Sequence, residues 1–131
     1  MSKLFAKLNL KDQKAIVVLN RPDSFKKELA ALKGVKIADS LGAKADFVLA
    51  FVTRQAEVDK LSQALAKKAE GDAVVWFAYP KGTSKNFSCD FNRDTGWAVL
   101  KNAGFDTVRQ VAIDEDWTAL RFRRVEFIKA R

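Results

Sequence analysis

Histidine is absent from the 131 residues of this chain, and cysteine occurs only once, at Cys89. Without histidine, no serine or cysteine nucleophile can be activated by an imidazole base, and no metal can have a histidine ligand. A single cysteine forms no disulfide within the chain and cannot by itself hold a zinc ion or an iron–sulfur cluster. The sequence gives Cys89 no basic neighbour, so we expect an inert thiol.

Long apolar segments are absent as well. No run approaches the roughly 18–20 residues needed to cross a bilayer, and the first residues have no apolar stretch typical of a secretory signal. We therefore expect a soluble, cytoplasmic protein that does not contact the membrane. The chain has 24 Lys and Arg against 16 Asp and Glu, a net charge of +8. This balance favours anionic partners, although dispersed charges are also typical of solvated helix faces.

Three continuous apolar runs dominate the sequence: AIVVL at 15–19, FVLAFV at 47–52 and AVVWFAY at 73–79. Their β-branched and aromatic residues do not alternate with polar ones, which is typical of parallel strands covered on both faces. A weaker fourth strand is predicted at 35–38. Helical patterns occur between the strands, at 24–33, at about 55–69 and at about 93–103. This alternation predicts right-handed βαβ crossovers.

The C-terminal part has a different pattern. Residues 108–113 and 117–127, separated by the acidic turn 114–116, predict an antiparallel hairpin. Its alternation places Leu120 and Phe122 on one face. The fold class we predict is α/β: a single domain over residues 1–131, forming a Rossmann-like three-layer sandwich. Its mostly parallel sheet of about six strands ends in an antiparallel C-terminal hairpin strand.

This order of elements resembles the Rossmann-like methyltransferase fold, in which the sheet also ends in a reversed strand. The matching segments are AIVVLN, VKIAD, DFVLAF, GDAVVWFAYP, GFDTVRQVAI and WTALRF. The resemblance covers about residues 10 to 124, with the third strand of that fold and its helix missing. More narrowly, AYPKGTS, NRD and VRQVAIDEDWTALRFR are similar to a family of short bacterial proteins that is a domain of unknown function, which implies no activity.

The sequence departs from the methyltransferase pattern after the first strand. Those enzymes have a glycine-rich turn there, which lets the backbone approach the methyl donor. Here the turn is residues 20–24, NRPDS, without glycine and with Pro22, which has no N–H. Asp39 does follow the second strand at the position of a ribose-binding acid, but it could equally be a turn residue. The sequence therefore predicts no cofactor, S-adenosylmethionine included, and no metal.

Ligands of open α/β sheets bind beyond the carboxyl ends of the strands, where the strand order reverses. Arg21, Arg54 and Lys81 each follow a predicted strand, so we expect three cations and Tyr79 at one anion-binding rim. Helix N-termini are expected to add partial positive charge there. The loop after the strand at 73–79 contributes Thr83, Ser84 and Lys85. An ordinary charged surface is the alternative.

Weaker candidates complete this list: Asp39, Arg93, Arg109 and Trp117. Arg109 and Gln110 beside Trp117 could form a polar contact surface across the hairpin, although strands also pair such residues without a function. The interpretation we favour is a non-catalytic binding or regulatory domain for a small anionic ligand or a protein partner. Two alternatives stay open. One is a diverged methyltransferase-like enzyme with a nucleotide-type cofactor. The other is a nucleic-acid accessory protein, because the tail from Arg121 through Lys129 to Arg131 interleaves cations with aromatic residues.

Overall fold

The computed structural model of the protein describes residues 3–10, 15–32, 34–41, 45–85, 87–91 and 96–128. Its strands are β1 (Ala15–Leu19), β2 (Lys36–Ala38), β3 (Ala45–Phe51), β4 (Ala69–Pro80), β5 (Phe105–Ala112) and β6 (Trp117–Arg124). Its helices are α1 (Lys3–Lys7), α2 (Lys26–Ala30), α3 (Gln55–Lys68) and α4 (Ala98–Asn102). Short 3-10 turns occupy Asp23–Phe25 and Val125–Phe127. None of the described helices has the length and apolar character required to cross a membrane.

The six strands form one sheet in the order β2-β1-β3-β4-β6-β5. β1 pairs in parallel with β2 and β3, and β3 pairs in parallel with β4. β6 runs antiparallel to both β4 and β5. The predicted α/β class and the mostly parallel sheet with an antiparallel C-terminal hairpin are therefore confirmed.

The continuous apolar strands lie between two separate layers of core. On one face, side chains of β1, β3 and β4 pack against Phe5 of α1, Phe25 of the first 3-10 turn and Leu29 of α2. On the other face, the alternate residues pack against α3 and α4 through Val58, Leu65 and Leu100. Burial on both faces explains why these strands lack polar alternation.

The first predicted helix is shorter than expected, whereas the second is found close to its predicted bounds. The helix predicted at 24–33 begins as a 3-10 turn at Asp23–Phe25, and its α-helical part is only Lys26–Ala30. Of the helix predicted at about 93–103, the described part is Ala98–Asn102. The helix predicted at about 55–69 is confirmed as Gln55–Lys68.

The hairpin is attached to α3 by Arg124. Its Nη2 donates to the carbonyl oxygens of Ala66 at 3.3 Å and Ala69 at 2.8 Å, and its guanidinium carbon lies 4.6 Å from the centre of the Phe105 ring. A cation at the C-terminus of a helix satisfies carbonyl groups that have no partner within the helix and interacts favourably with the helix dipole. This contact fixes β6 against the helix that follows β3.

Candidate functional site at the carboxyl edge of the sheet

The strand order reverses at β1. The chain passes from β1 to β2 on one side, and then crosses to β3 on the other side of β1. Because β1, β2, β3 and β4 are parallel, their carboxyl ends open onto the same edge of the sheet. In sheets of this type, ligands bind at such a reversal.

The turn after β1 has an unusual backbone. Asn20 has φ 57°, in the left-handed region that non-glycine residues seldom adopt. Asparagine tolerates this conformation better than most residues, because its short polar side chain can form local hydrogen bonds. The turn therefore takes up the left-handed geometry that glycine usually provides. Arg21, the next residue, is exposed to solvent.

The N-terminus of α3, beyond β3, is closed by two carboxylates of the chain itself. Glu57 Oε1 accepts hydrogen bonds from the backbone N–H groups of Thr53 at 2.9 Å and Arg54 at 3.1 Å. Asp90 Oδ1 accepts a hydrogen bond from the Gln55 N–H at 2.6 Å. These carboxylates occupy the N–H donors of Thr53, Arg54 and Gln55 at the helix end that was expected to offer partial positive charge to a ligand.

A cavity of about 770 Å³, which we call the edge cavity, opens at the carboxyl end of β4. Three aromatic side chains line it, Tyr79, Phe87 and Phe91. Tyr79 and Phe91 are buried, with ring centres 5.9 Å apart. The volume lies within the range of small-molecule sites, which combine apolar walls with a few polar groups.

The polar wall of the edge cavity is held by hydrogen bonds across the hairpin. Gln110 Nε2 donates to Thr118 Oγ1 at 3.2 Å, and Thr118 Oγ1 donates to the carbonyl oxygen of Val111 at 3.3 Å. On the loop side, Ser84 Oγ donates to Asp116 Oδ1 at 2.8 Å and accepts from the Phe87 N–H at 3.1 Å. These groups are oriented by the protein before any ligand arrives.

A smaller cavity of about 230 Å³ lies beside the first and shares Ser88 and Cys89 with it. Cys89 Sγ lies 2.9 Å from the carbonyl oxygen of Phe91. Arg54 lines this smaller cavity, whereas Lys81 lines the edge cavity. The loop between β4 and α4 therefore forms a wall common to both cavities.

The structure brings some of the predicted residues together and separates others. Tyr79, Lys81 and Ser84 line the edge cavity, whereas Thr83 and Lys85 of the same loop are exposed and do not line it. The role of all these residues in binding stays a prediction.

The secondary candidates are dispersed. Asp39 is exposed directly after β2. Arg109 faces Arg121 across the hairpin, whereas Trp117 pairs with Pro80 and lies 5.1 Å from Phe51 between ring centres. The hairpin does not bring Arg109 and Trp117 together. Arg93 lies outside the described residues.

Sequence reasoning named Gln110 only as part of a polar contact surface on the hairpin and missed Thr118, although a signal for Thr118 was present. Leu120 and Phe122 point inward, and residues two apart on a strand share a face, so Thr118 belongs to the same face. Gln110 pairs with Leu120 in the register and thus lies on that face too. Phe91, Ser88 and Cys89 could not be assigned, because their position depends on how the loop folds back.

Comparison with solved structures identifies the architecture. A SAM dependent methyltransferase from Aquifex aeolicus is 15% identical, with a TM-score of 0.64 over 94% of this chain and 88% of that one. Magnesium protoporphyrin IX methyltransferase from Synechocystis PCC 6803, solved with bound SAH, is 14% identical, with a TM-score of 0.58 over 92% and 78% of the two chains. The chain has the fold of these methyltransferases.

A third similar structure is the fibrillarin pre-rRNA processing protein of Methanococcus jannaschii. It is 13% identical, with a TM-score of 0.55 over 87% of this chain and 67% of that one. Searches against protein-family models and against curated proteins found no match. The resemblance to a bacterial family of unknown function therefore stays a prediction.

These comparisons contradict the prediction that the chain uses no cofactor. The structures that share its fold include methyltransferases that depend on S-adenosylmethionine, and one of them holds SAH. The prediction depended on the missing glycines of the first turn, and it did not foresee the left-handed conformation of Asn20. The comparisons also support the methyltransferase-like alternative better than a non-catalytic binding domain.

Proposed function

We propose that this chain is a methyltransferase-like protein that binds S-adenosylmethionine at the carboxyl ends of β1 and β2. The observation that carries the proposal is the arrangement of this edge. The strand reversal at β1, the left-handed turn at Asn20 and Asp39 after β2 lie at the same edge of the sheet, on which the edge cavity opens farther along, beyond β4.

The residues at this edge fit the two polar ends of such a nucleoside. Asp39 follows β2 directly, and Ala38 pairs with Val17 of β1, so the carboxylate lies close to the end of β1. An acidic residue at this point of a Rossmann-like sheet accepts hydrogen bonds from ribose hydroxyls. Arg21, exposed at the end of β1, offers a bidentate partner for the carboxylate of the amino-acid end.

The conformation of Asn20 makes the fit possible without glycine. With φ at 57°, the chain turns sharply after β1 before it enters the 3-10 turn at Asp23–Phe25. The side chain of Asn20 is exposed, and its amide group supplies both a donor and an acceptor. Pro22 has no N–H, so polar contacts from this turn depend on its neighbours.

The edge cavity is suited to hold the molecule that is modified. Bound S-adenosylmethionine supplies an activated methyl group for transfer to a nucleophile. In the edge cavity, Tyr79, Phe87 and Phe91 offer apolar area for a planar acceptor, while Gln110 and Thr118 can orient its polar atoms. Closing such a site against water strengthens the electrostatic contacts inside it.

Thermal unfolding with and without ligand tests the proposal. SAH at ten times its dissociation constant is expected to stabilise the folded state by about 1.4 kcal/mol, which raises the Tm of a domain of this size by roughly 3–6 °C. Asn20→Gly is expected to keep the shift, because glycine adopts the left-handed turn freely. Asn20→Val is expected to lose it, because a β-branched residue does not adopt that conformation easily.

The outcome that contradicts the proposal is specific. If neither SAH nor S-adenosylmethionine at millimolar concentration changes the Tm of the wild-type chain, the nucleoside site does not exist. Equal ligand-induced changes in Tm for Asn20→Gly and Asn20→Val would show that the turn after β1 is not part of the site. ADP serves as a control for nonspecific stabilisation of a basic protein by an anionic nucleotide.

A further inference from the structure

Two arginines face each other on the outer hairpin, on the sheet face opposite to α3 and α4. Arg109 of β5 pairs with Arg121 of β6 in the antiparallel register. Side chains directly opposite each other in such a ladder have Cβ atoms about 4.5–5.5 Å apart, and like charges in this arrangement are destabilising. We call these two residues the arginine pair.

Neither member of the pair has a partner of its own. Among the described residues, no side-chain hydrogen bond or ion pair joins Arg109 or Arg121 to another residue, and Arg121 Nε is buried without a hydrogen-bond partner. Burial lowers the pKa of Arg121, the positive charges of Arg123 and Arg109 lower it further, and the charge of Asp72 opposes this shift. Guanidinium groups nevertheless stay charged in proteins, so the arginine pair carries two positive charges, and only the charge of Asp72 acts on one of them, Arg121.

The nearby carboxylates are engaged elsewhere. Arg123 donates to both oxygens of Asp72, from Nε at 2.7 Å and from Nη2 at 2.5 Å. Asp106 lies opposite Arg123 in the register, and its Oδ1 accepts a hydrogen bond from the Thr107 N–H at 2.8 Å. Asp72 is thus hydrogen-bonded to Arg123 and acts on Arg121 only through its charge, so neither arginine of the pair has a hydrogen-bonded acid among the described residues.

The surface around the pair does not suit a protein partner. Specific protein interfaces have an apolar core. Five large hydrophobic side chains of the described residues are exposed, and only Val108 adjoins the pair. Arg109 is exposed and Arg121 is half-buried, so the pair is accessible at the surface through Arg109. A single small anion on an open surface is weakly held, whereas a polymer of phosphates gains from counterion release.

We propose that the arginine pair binds the phosphodiester backbone of a nucleic acid. The geometry supports this because each planar guanidinium can contact two oxygens of a phosphate group. The net charge of +8 attracts the polyanion over a longer range. The contact is to phosphate and not to bases through Phe122, because that ring is fully buried in the core. The site is independent of the proposed nucleoside site at the carboxyl edge.

Fluorescence anisotropy with a labelled 16-nucleotide single strand and a 16-base-pair duplex, measured at several salt concentrations, tests the proposal. Arg109→Gln and Arg121→Gln are each expected to weaken binding roughly three- to ten-fold. Each is expected to reduce the slope of log K against log salt by about 0.7 on the single strand or 0.9 on the duplex. Arg121→Lys keeps the charge but loses the bidentate contact, so it should retain most of the slope and lose affinity.

The matched control is Lys60→Gln. It removes one positive charge from an exposed position of α3, which covers the opposite face of the sheet. A smaller loss than in the arginine variants supports the proposal, whereas an equal loss shows a net-charge effect and overturns it. No binding to either oligonucleotide at 50 mM salt, or tighter binding to poly-glutamate than to the oligonucleotides, overturns it as well. Arg109 is exposed on the edge strand β5, so Arg109→Gln is expected to fold like the wild type, and thermal melting verifies this.

Discussion

Gln55 and Asp90 are joined by a short hydrogen bond, 2.6 Å from the backbone N–H of Gln55 to Asp90 Oδ1, across 35 positions of the chain. This bond attaches the loop after β4 to the first turn of α3. The side chain of Gln55 extends the attachment, because its Nε2 donates to the carbonyl oxygen of Gly96 at 2.7 Å. The two cavities at the carboxyl edge therefore share a wall that is fixed to a helix.

Loss of the Asp90 carboxylate is expected to destabilise the fold. Asp90→Ala leaves the Gln55 N–H without its acceptor, and loss of a helix cap costs about 1 kcal/mol. Urea unfolding should show this loss, and Asp90→Asn should recover most of it, because asparagine is an equally good cap. Glu115→Ala, which removes a carboxylate from an exposed turn position, is the control. Equal stability of Asp90→Ala and the wild type would show that the attachment contributes nothing.

Gly96 is expected to tolerate no side chain. Its φ is 94°, and a Cβ there would lie 2.7 Å from Gln55 Oε1 and 3.0 Å from Phe91 Cβ. Gly104 has nearly the same φ, 96°, but no atom within 4 Å of the same position. Both alanine variants carry the backbone penalty, and only Gly96→Ala adds a clash, worth about 1–3 kcal/mol more. Equal losses in urea unfolding would contradict the close approach of Gln55 to Gly96.

The ion pair between Asp72 and Arg123 gives a pH-dependent contribution to stability. The hydrogen bond from Arg123 lowers the pKa of Asp72 below its usual 3.8. A carboxyl group whose pKa is lowered in the folded state stabilises the fold at pH values above its pKa in the unfolded state. This stabilisation is lost as the pH falls through the pKa of the folded state. At pH 7, Asp72→Asn is expected to cost about 0.2–1 kcal/mol, because both side chains are about a third exposed.

Unfolding free energies measured between pH 7 and pH 2.5 test the pH-dependent contribution of the Asp72–Arg123 ion pair. The difference between the wild type and Asp72→Asn should shrink below pH 4. A double-mutant cycle with Arg123→Gln isolates the pair from Asp106, which also faces Arg123. A coupling energy of zero at pH 7, or a difference that grows in acid, would contradict the assignment.

The sequence predicted the sheet well, because each strand is marked by a pattern of apolar residues within a few neighbouring positions of the chain. The run AIVVL predicted β1 at its observed bounds, and Leu120 and Phe122 of the hairpin are buried as their alternation indicates. The left-handed turn at Asn20 was not predictable, because asparagine adopts several backbone conformations and the surrounding structure selects one. The edge cavity was predicted only in part, because Phe91 and Gln110 approach it from segments far apart in the chain.

The pairing of Arg109 with Arg121 across the hairpin could not be predicted from the sequence, for a different reason. Alternation in the hairpin placed Arg121 on the face opposite to Leu120 and Phe122, but a bulge between Thr107 and Arg109 determines which residues face each other. A one-residue change of register reverses the face of every later side chain. The residues that face each other across the strands could therefore be assigned only from the structure.

The central claim is that a nucleoside of the S-adenosylmethionine type binds where β1 and β2 end. The most direct measurement is isothermal titration of SAH into the wild type, Asp39→Asn and Asp46→Asn, the last an exposed position at the amino end of β3. We predict one site per chain, a loss of about tenfold or more in affinity in Asp39→Asn, and no change in Asp46→Asn. Absence of heat with folded wild-type protein at millimolar SAH, or equal affinities in all three proteins, would contradict the account.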